Sequence, residues 1–423
     1  MKFSAALDVD LVACEGDDEV TVLLELQAPD AATTDRPASA LQIVLDRSGS
    51  MGGAPLEGAK RALAGTVARL APSDVFGVVT FDDSAQVVVP AAPLTDKQAV
   101  IDRIMGIRAG GCTDLSSGYL RGLRELKRAS VPAGGATMLV VSDGHVNAGI
   151  RDAGEFAGIA SKAAAERVVT STLGYGEGYD ETLLSILARA GSGNHVFAAD
   201  PDTAGAAIAG EVDGLLSKAA QAVTLTVTCG PEVSEVSLYN DIPTHQLDDG
   251  KLMAELGDLY AAEERRLLLR LRFSDVGTSG PAQIATFELT YVETATLTEH
   301  TVTLPISVNV VPGDELSGRI RDPRVQSERL FHDAQAGVLK ASQAFEEGDM
   351  LTGRRYLAMT SHILDEAVSA APAAEADRYR SEIDNVKQMF DASMDSSSSR
   401  MSKRTRDMYH QKNRKTGRRD RDY

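Results

Sequence analysis

At 423 residues, 43% hydrophobic and 25% charged, the chain has the balance of a folded protein and the length for two or three domains. Its net charge of −18 is uneven: residues 400–423 hold ten Lys/Arg against three Asp/Glu, or +7, which leaves −25 on the rest. So acidic a body disfavours a nucleic-acid-binding face, and only the basic tail could make such a contact.

No charged-then-apolar leader and no apolar run near about 18 residues occurs, so neither a standard secretion signal nor a membrane span is expected. The three cysteines, Cys14, Cys112 and Cys229, are scattered and lack CxxC spacing, which points to reduced thiols and a cytoplasmic protein.

In chain order, residues 1–28 read as two strands. Phe3, Ala5, Leu7, Val9 and Leu11 alternate with mostly polar neighbours, as do Val20, Val22, Leu24 and Leu26, around a turn at Glu15-Gly16-Asp17-Asp18. Residues 29–39 are rich in Ala, Thr, Asp and Pro and read as a linker. Strands and helices then alternate: strands at 41–45, 75–81, 86–89, 137–141, 168–173 and 195–198, and helices at 56–70, 97–107, 115–129, 155–167, 181–190 and 203–219. Such alternation calls for a parallel-rich sheet covered on both faces, with the strands' carboxyl ends on one edge.

From Val223 the period becomes two. Val223, Leu225 and Val227 alternate with threonines, and similar runs follow near 267–273, 287–291 and 302–310, as in an antiparallel sandwich. A lone N-terminal hairpin is marginal in water, so the first two strands are expected to complete this sandwich, making the α/β domain an insertion. Three helices, at 330–345, 351–371 and 374–392, would then form a small bundle. The tail shows no periodic apolar face and is expected to be disordered. The domains are thus N-terminal strands 1–40, an α/β domain 41–220, a sandwich 221–315, a helical domain 320–395 and a basic tail 396–423.

The chemistry concentrates at Asp46-Arg47-Ser48-Gly49-Ser50, directly after the apolar strand Leu41-Gln42-Ile43-Val44-Leu45. Two other pieces lie downstream: Thr113 in Gly110-Gly111-Cys112-Thr113-Asp114-Leu115, and Asp143 in Ser142-Asp143-Gly144 after the strand Met138-Leu139-Val140-Val141. Open α/β sheets bind ligands at this edge. Carboxylate and hydroxyl oxygens without imidazole or thiolate suit a hard cation such as Mg²⁺. The five-residue run by itself has a plainer reading, in which Ser48 and Ser50 cap the next helix and Asp46 makes a turn contact.

These three stretches closely resemble the von Willebrand factor A (vWA) domain family of bacterial type. They match its metal-ion-dependent adhesion site, DxSxS…T…D, over a resemblance spanning about residues 41–220. The resemblance implies a doubly wound, Rossmann-like sheet with a short antiparallel edge strand, which 86–89 fits. It also implies a divalent metal (Mg²⁺, or Ca²⁺ or Mn²⁺) held directly or nearly so by Ser48, Ser50 and Thr113, with Asp46 and Asp143 acting through water and hydrogen bonds. The open position would take a Glu or Asp carboxylate of a partner protein. The stretches Gly174-Tyr175-Gly176-Glu177 and Ala190-Gly191-Ser192-Gly193-Asn194 are similar to bacterial vWA proteins that bracket the domain with strands and follow it with helices.

The family often has Gly before the threonine and Asn after it, where this chain has Cys112 and Asp114. Cys112 is expected as a small buried thiol, and Asp114 as the N-cap of the helix at Leu115.

Enzyme readings fare worse. Asp46 after a strand is reminiscent of haloacid-dehalogenase-like phosphatases, but the second acid those need is Ser48 here. Gly49-Ser50-Met51-Gly52 is not G-x-S-x-G, no P-loop occurs, and the histidines do not cluster. The expectation is therefore a non-catalytic binding module. The competing class is a scaffold acting through its C-terminal helices, with a structural metal.

Overall fold

The computed structural model describes residues 1–30, 36–176, 178–247, 250–274 and 276–414. Three strands open the chain: β1 (Lys2–Leu7), β2 (Leu11–Ala13) and β3 (Asp17–Gln27). β1 and β3 pair antiparallel, Lys2 opposite Gln27. The run expected as one strand from Phe3 to Leu11 is broken, because β2 belongs to a different sheet. The break falls at Asp8, whose carboxylate accepts from Val9 N at 2.9 Å and from Thr21 N at 2.7 Å. A side chain satisfying two backbone donors replaces the ladder there and turns the chain across to the second sheet.

The α/β region follows as β4 (Ala40–Asp46), α1 (Ala54–Arg69), β5 (Val75–Phe81), β6 (Ala85–Pro93), α2 (Lys97–Met105) and α3 (Leu115–Ala129). It continues as β7 (Ala136–Ser142), α4 (Ala153–Ala165), β8 (Val168–Tyr175), α5 (Glu181–Ala190), β9 (Ser192–Ala198) and α6 (Pro201–Leu216). The sheet order is β6-β5-β4-β7-β8-β9, parallel except for the antiparallel edge strand β6. β4 is buried along its whole length because both faces are covered. Leu41, Ile43 and Leu45 enter the core beneath α1 and α6, while Ala40 and Val44 enter the one beneath α3, α4 and α5.

From β4 the chain runs to β5 on one side, and β7 pairs with β4 on the other. The strand order therefore reverses at β4, and a crevice opens beyond its carboxyl end, where Asp46 and Ser142 terminate neighbouring strands.

α6 ends earlier than the expected 219, and β10 (Lys218–Cys229) begins at once. Then come β11 (Val233–Leu238), β12 (Thr244–Gln246), β13 (Leu252–Tyr260), β14 (Glu264–Ser274), β15 (Gly280–Glu293) and β16 (Thr298–Val311). They form sheets β1-β3-β14-β11 and β12-β13-β10-β15-β16-β2 around one apolar core. The N-terminal strands do complete the sandwich, and the α/β region is inserted between β3 and β10. At the seam Ala28 N donates to Glu263 O and Ala262 N to Pro29 O, both at 2.9 Å. Residues 31–35 of the expected linker lie outside the described residues.

Four helices follow: α7 (Pro323–Glu346), α8 (Met350–Ala370), α9 (Ala376–Asp395) and α10 (Ser398–Arg414). The fourth corrects the expectation of a disordered tail over 396–423, of which 415–423 lie outside the described residues. α10 buries Met401, Met408 and Tyr409 in the bundle core together with polar Ser402 and Thr405. Its cations meet acids of the body: Arg406 pairs with Glu181 and Glu346, and Lys412 with Glu382. A polar face buried in this way leaves no apolar stripe to read. Among the described residues, no helix is long and apolar enough to cross a membrane.

Candidate metal centre

Asp46 is fully buried at the end of β4. Its Oδ1 accepts from Ser48 N at 2.8 Å, an Asx-type turn that stops the strand and reverses the chain. Its Oδ2 accepts from Ser142 Oγ at 2.6 Å, which ties the ends of β4 and β7 together. The next residues form a single 3₁₀ turn, Gly49–Met51, and Ser48 makes no side-chain cap bond to it. α1 starts from Gly53 without a side-chain cap. The serines are thus free of the capping role that the sequence allowed. Ser48 Oγ lies 3.1 Å from Ser50 Oγ, and Ser50 Oγ donates to Asp143 Oδ1 at 2.8 Å.

The second loop is held by backbone. Gly110 N donates to Arg47 O (2.8 Å), Gly49 N to Gly111 O (3.1 Å) and Asp114 N to Asp82 O (2.8 Å). Gly111 has φ of +80°, and a Cβ there would lie 2.8 Å from Asp82 Cβ, so both conformation and space demand glycine. Thr113 is buried; its N–H donates to Asn147 Oδ1 at 3.1 Å, and its carbonyl accepts from Asn147 N at 3.2 Å. Asp114 caps α3 as expected, accepting from Ser117 N at 3.0 Å and from Ser116 Oγ at 2.6 Å.

Gly144 marks where the three loops meet: a Cβ on it would sit 3.1 Å from Thr113 Oγ1 and 3.7 Å from Ser50 Oγ. The structure thus brings Asp46, Ser48, Ser50, Thr113 and Asp143 to one crevice. Ser142, Asn147 and the Arg47–Asp82 ion pair (2.6 Å) were not singled out from the sequence. Each acts across loops, so no local spacing announces it.

Burial pushes the Asp46 carboxyl up to about 6, against the lowering by the Ser142 and Ser48 hydrogen bonds and with a further push from the Asp143 charge. Burial also raises Asp143, and Ser50 opposes it. Two acids facing each other in a partly dry crevice are the arrangement a bound cation would relieve.

Cys112 is not the buried thiol expected. It is exposed on the rim, where the Asp83 carboxylate accepts from Cys112 N at 3.1 Å. Asp83 also raises the thiol pKa through its hydrogen bond and its charge, which disfavours a reactive thiolate. His145 is exposed on the third loop. Glu177 lies outside the described residues.

Among the described residues no group of three or more His, Cys, Asp or Glu is placed to hold a metal. The crevice offers two carboxylates and three hydroxyls instead, an all-oxygen donor set that fits a hard cation keeping part of its water. The residues present fit such an ion.

The sheet order, with its switch point at β4, defines a Rossmann-like α/β domain with an oxygen-lined crevice at that edge. Residues 41–208 match the von Willebrand factor type A domain model, and the chain carries a vWA domain there. Two solved structures share the fold across almost the whole chain. One is a von Willebrand factor type A protein from Catenulispora acidiphila (TM-score 0.76, 17% identity, 98% of this chain and 97% of that one). The other is the ArnB paralog VWA2 from Sulfolobus acidocaldarius (TM-score 0.64, 15% identity, 96% and 97%). An uncharacterized bacterial protein from Synechocystis is 26% identical over 246 residues, covering 55% of this chain; the chain spans only 56% of that relative's length.

Proposed function

We propose that this chain is a non-catalytic binding module that captures a partner protein through a divalent cation, Mg²⁺, at the crevice beyond β4. Domains of this family mediate metal-dependent protein interactions, and the crevice supplies the chemistry for one. The observation that carries the reading is the convergence of Ser48, Ser50 and Thr113 hydroxyls with Asp143 around the bare backbone of Gly144. Those three hydroxyls would hold the ion, with Asp46 and Asp143 acting through water and hydrogen bonds. An ion with few directly bound carboxylates keeps its appetite for an external one, so the partner group is a Glu or Asp side chain.

Asp46 suits this supporting role better than that of an aspartyl nucleophile. It is fully buried and each carboxylate oxygen already accepts a hydrogen bond.

The test is calorimetric titration of Mg²⁺ into the metal-free chain, with capture of proteins from a lysate in Mg²⁺ and in EDTA. Wild type should bind one ion and retain proteins only in Mg²⁺, and Thr113→Ala should do neither while keeping its circular dichroism. Equal capture by wild type in EDTA would count against the proposal.

A further inference from the structure

Beyond the crevice itself, α10 lies against the part of the vWA domain that supports the third loop. Residues 178–180, between β8 and α5, lie directly on Asp143 and Gly144. Asp180 N donates to Gly144 O at 3.4 Å, and a Cβ on Gly178 would lie 3.2 Å from Asp143 O, so the two loops meet backbone to backbone.

Between them Tyr179 is fully buried. Its ring packs on the bare backbone of Gly174 at the end of β8, where a Cβ would sit 2.2 Å from the ring. It stacks on Phe197 at 6.1 Å, and its hydroxyl lies 3.2 Å from His195 Nε2.

The outer side of this loop is held by α10. Lys403 Nζ donates to Tyr179 O at 2.9 Å and sits 3.8 Å from the centroid of the Tyr179 ring. Lys403 is 6% exposed, so its charge is spent on the carbonyl, the ring and nearby acids rather than on water. Four residues along, Asp407 Oδ1 accepts from Phe197 N, a backbone donor of the edge strand β9, at 3.0 Å. Arg406 meets Glu181 at the start of α5 and Glu346 at the end of α7. α10 therefore ties the helical bundle to the loop beneath the crevice through these polar contacts.

We propose that α10 is a positioning element for the cation site: Lys403 fixes the 178–180 loop that supports Asp143 and Gly144, so α10 docking and cation binding favour one another. This rests on the cation reading above. Linkage makes the coupling reciprocal: if a docked α10 tightens cation binding, the cation must steady α10 by the same factor. Partner capture and the state of the helical bundle are then parts of one equilibrium.

Hydrogen exchange of the full chain with and without MgCl₂ tests both halves. In wild type, Mg²⁺ should slow exchange at 46–51, 111–114 and 142–147 and also along 398–414, while leaving α8, which packs against α7 and α9, unchanged. Lys403→Met, which keeps the stem and loses the cation, should weaken Mg²⁺ binding by about fivefold or more. It should also abolish the protection of 398–414 at saturating Mg²⁺ while the crevice loops stay protected; Lys403→Arg should restore most of both.

Protected crevice loops with α10 exchanging identically in both conditions would overturn the coupling and leave the cation reading standing. No protection of the crevice loops would overturn the cation reading and the coupling with it. The wild-type comparison decides the matter even where a variant folds poorly.

Discussion

Replacing Asp46 with Asn should make the metal-free vWA domain more stable at neutral pH while destroying its response to Mg²⁺. Burial pushes the side chain's pKa in the folded state up to about 6, from an ordinary value of 3.8. Keeping it ionised in the folded state therefore costs about 3 kcal/mol at pH 7. The sign follows from proton binding. Between those two values the folded protein holds the proton more readily than the unfolded chain. The cost is complete above about pH 6, roughly halved at pH 5 and nearly gone at pH 4, so metal-free wild type gains stability as pH falls through that window.

Asn keeps the geometry. Its carbonyl can still accept from Ser48 N, and the Ser142 hydroxyl can turn from donor to acceptor. Most of about 3 kcal/mol should then appear as protection, about a hundredfold slower exchange of β4 and β7 amides in EDTA at pH 7. That gap should close at pH 4, and Mg²⁺ should protect wild type alone. Faster exchange in Asp46→Asn at pH 7, or an equal gap at pH 4, would refute the reasoning.

Gly144→Ala tests the convergence point: its Cβ would crowd Thr113 Oγ1 at 3.1 Å. Calorimetry should show Mg²⁺ affinity reduced about tenfold or more, with the melting temperature in EDTA shifted by only a few degrees. Ser50→Ala should also lose about tenfold or more in Mg²⁺ affinity, because it removes a hydroxyl that bridges Ser48 and Asp143; the same titration checks it. At the seam of sandwich and bundle, buried Glu328 accepts from Arg378 at 2.6 Å and from Arg266 at 3.3 Å. Burial would raise its pKa, but the charges of Arg378, His332 and Arg266 prevail and hold it at about 2. Its contribution should be present above pH 4.5 and lost as pH falls toward 2, and Glu328→Gln should cost about 3 kcal/mol or more, read from urea midpoints by circular dichroism.

The fold was legible where period and punctuation agree. β4 reads as a buried strand because both faces are apolar, and the sandwich strands read by alternation with threonine. β1 and β2 were harder, since Asp8 sits in an unbroken alternating run and only its bonds to Val9 N and Thr21 N reveal the break. Composition misjudged α10, whose cations look like solvated charge: Arg406 and Lys412 are in fact matched to acids elsewhere in the fold, and Lys403 to the carbonyl and ring of Tyr179. The crevice was readable through Asp46, Ser48 and Ser50, which share one strand exit. Ser142 and Asn147 were not, because their partners lie 96 and 34 residues away. Cys112 was misplaced because a thiol's usual preference for burial says nothing of the Asp83 carboxylate beside it.

The central claim is that three loops hold one hard cation with room for a ligand from outside. A crystal grown in MnCl₂ tests it most directly, since manganese gives an anomalous signal that magnesium lacks. A single strong peak within bonding distance of Ser48 Oγ and Ser50 Oγ, facing Thr113 Oγ1 and carrying ordered water toward solvent, is the expected result. A crevice without that peak at saturating Mn²⁺, its serines still bonded to each other and to Asp143, would contradict it.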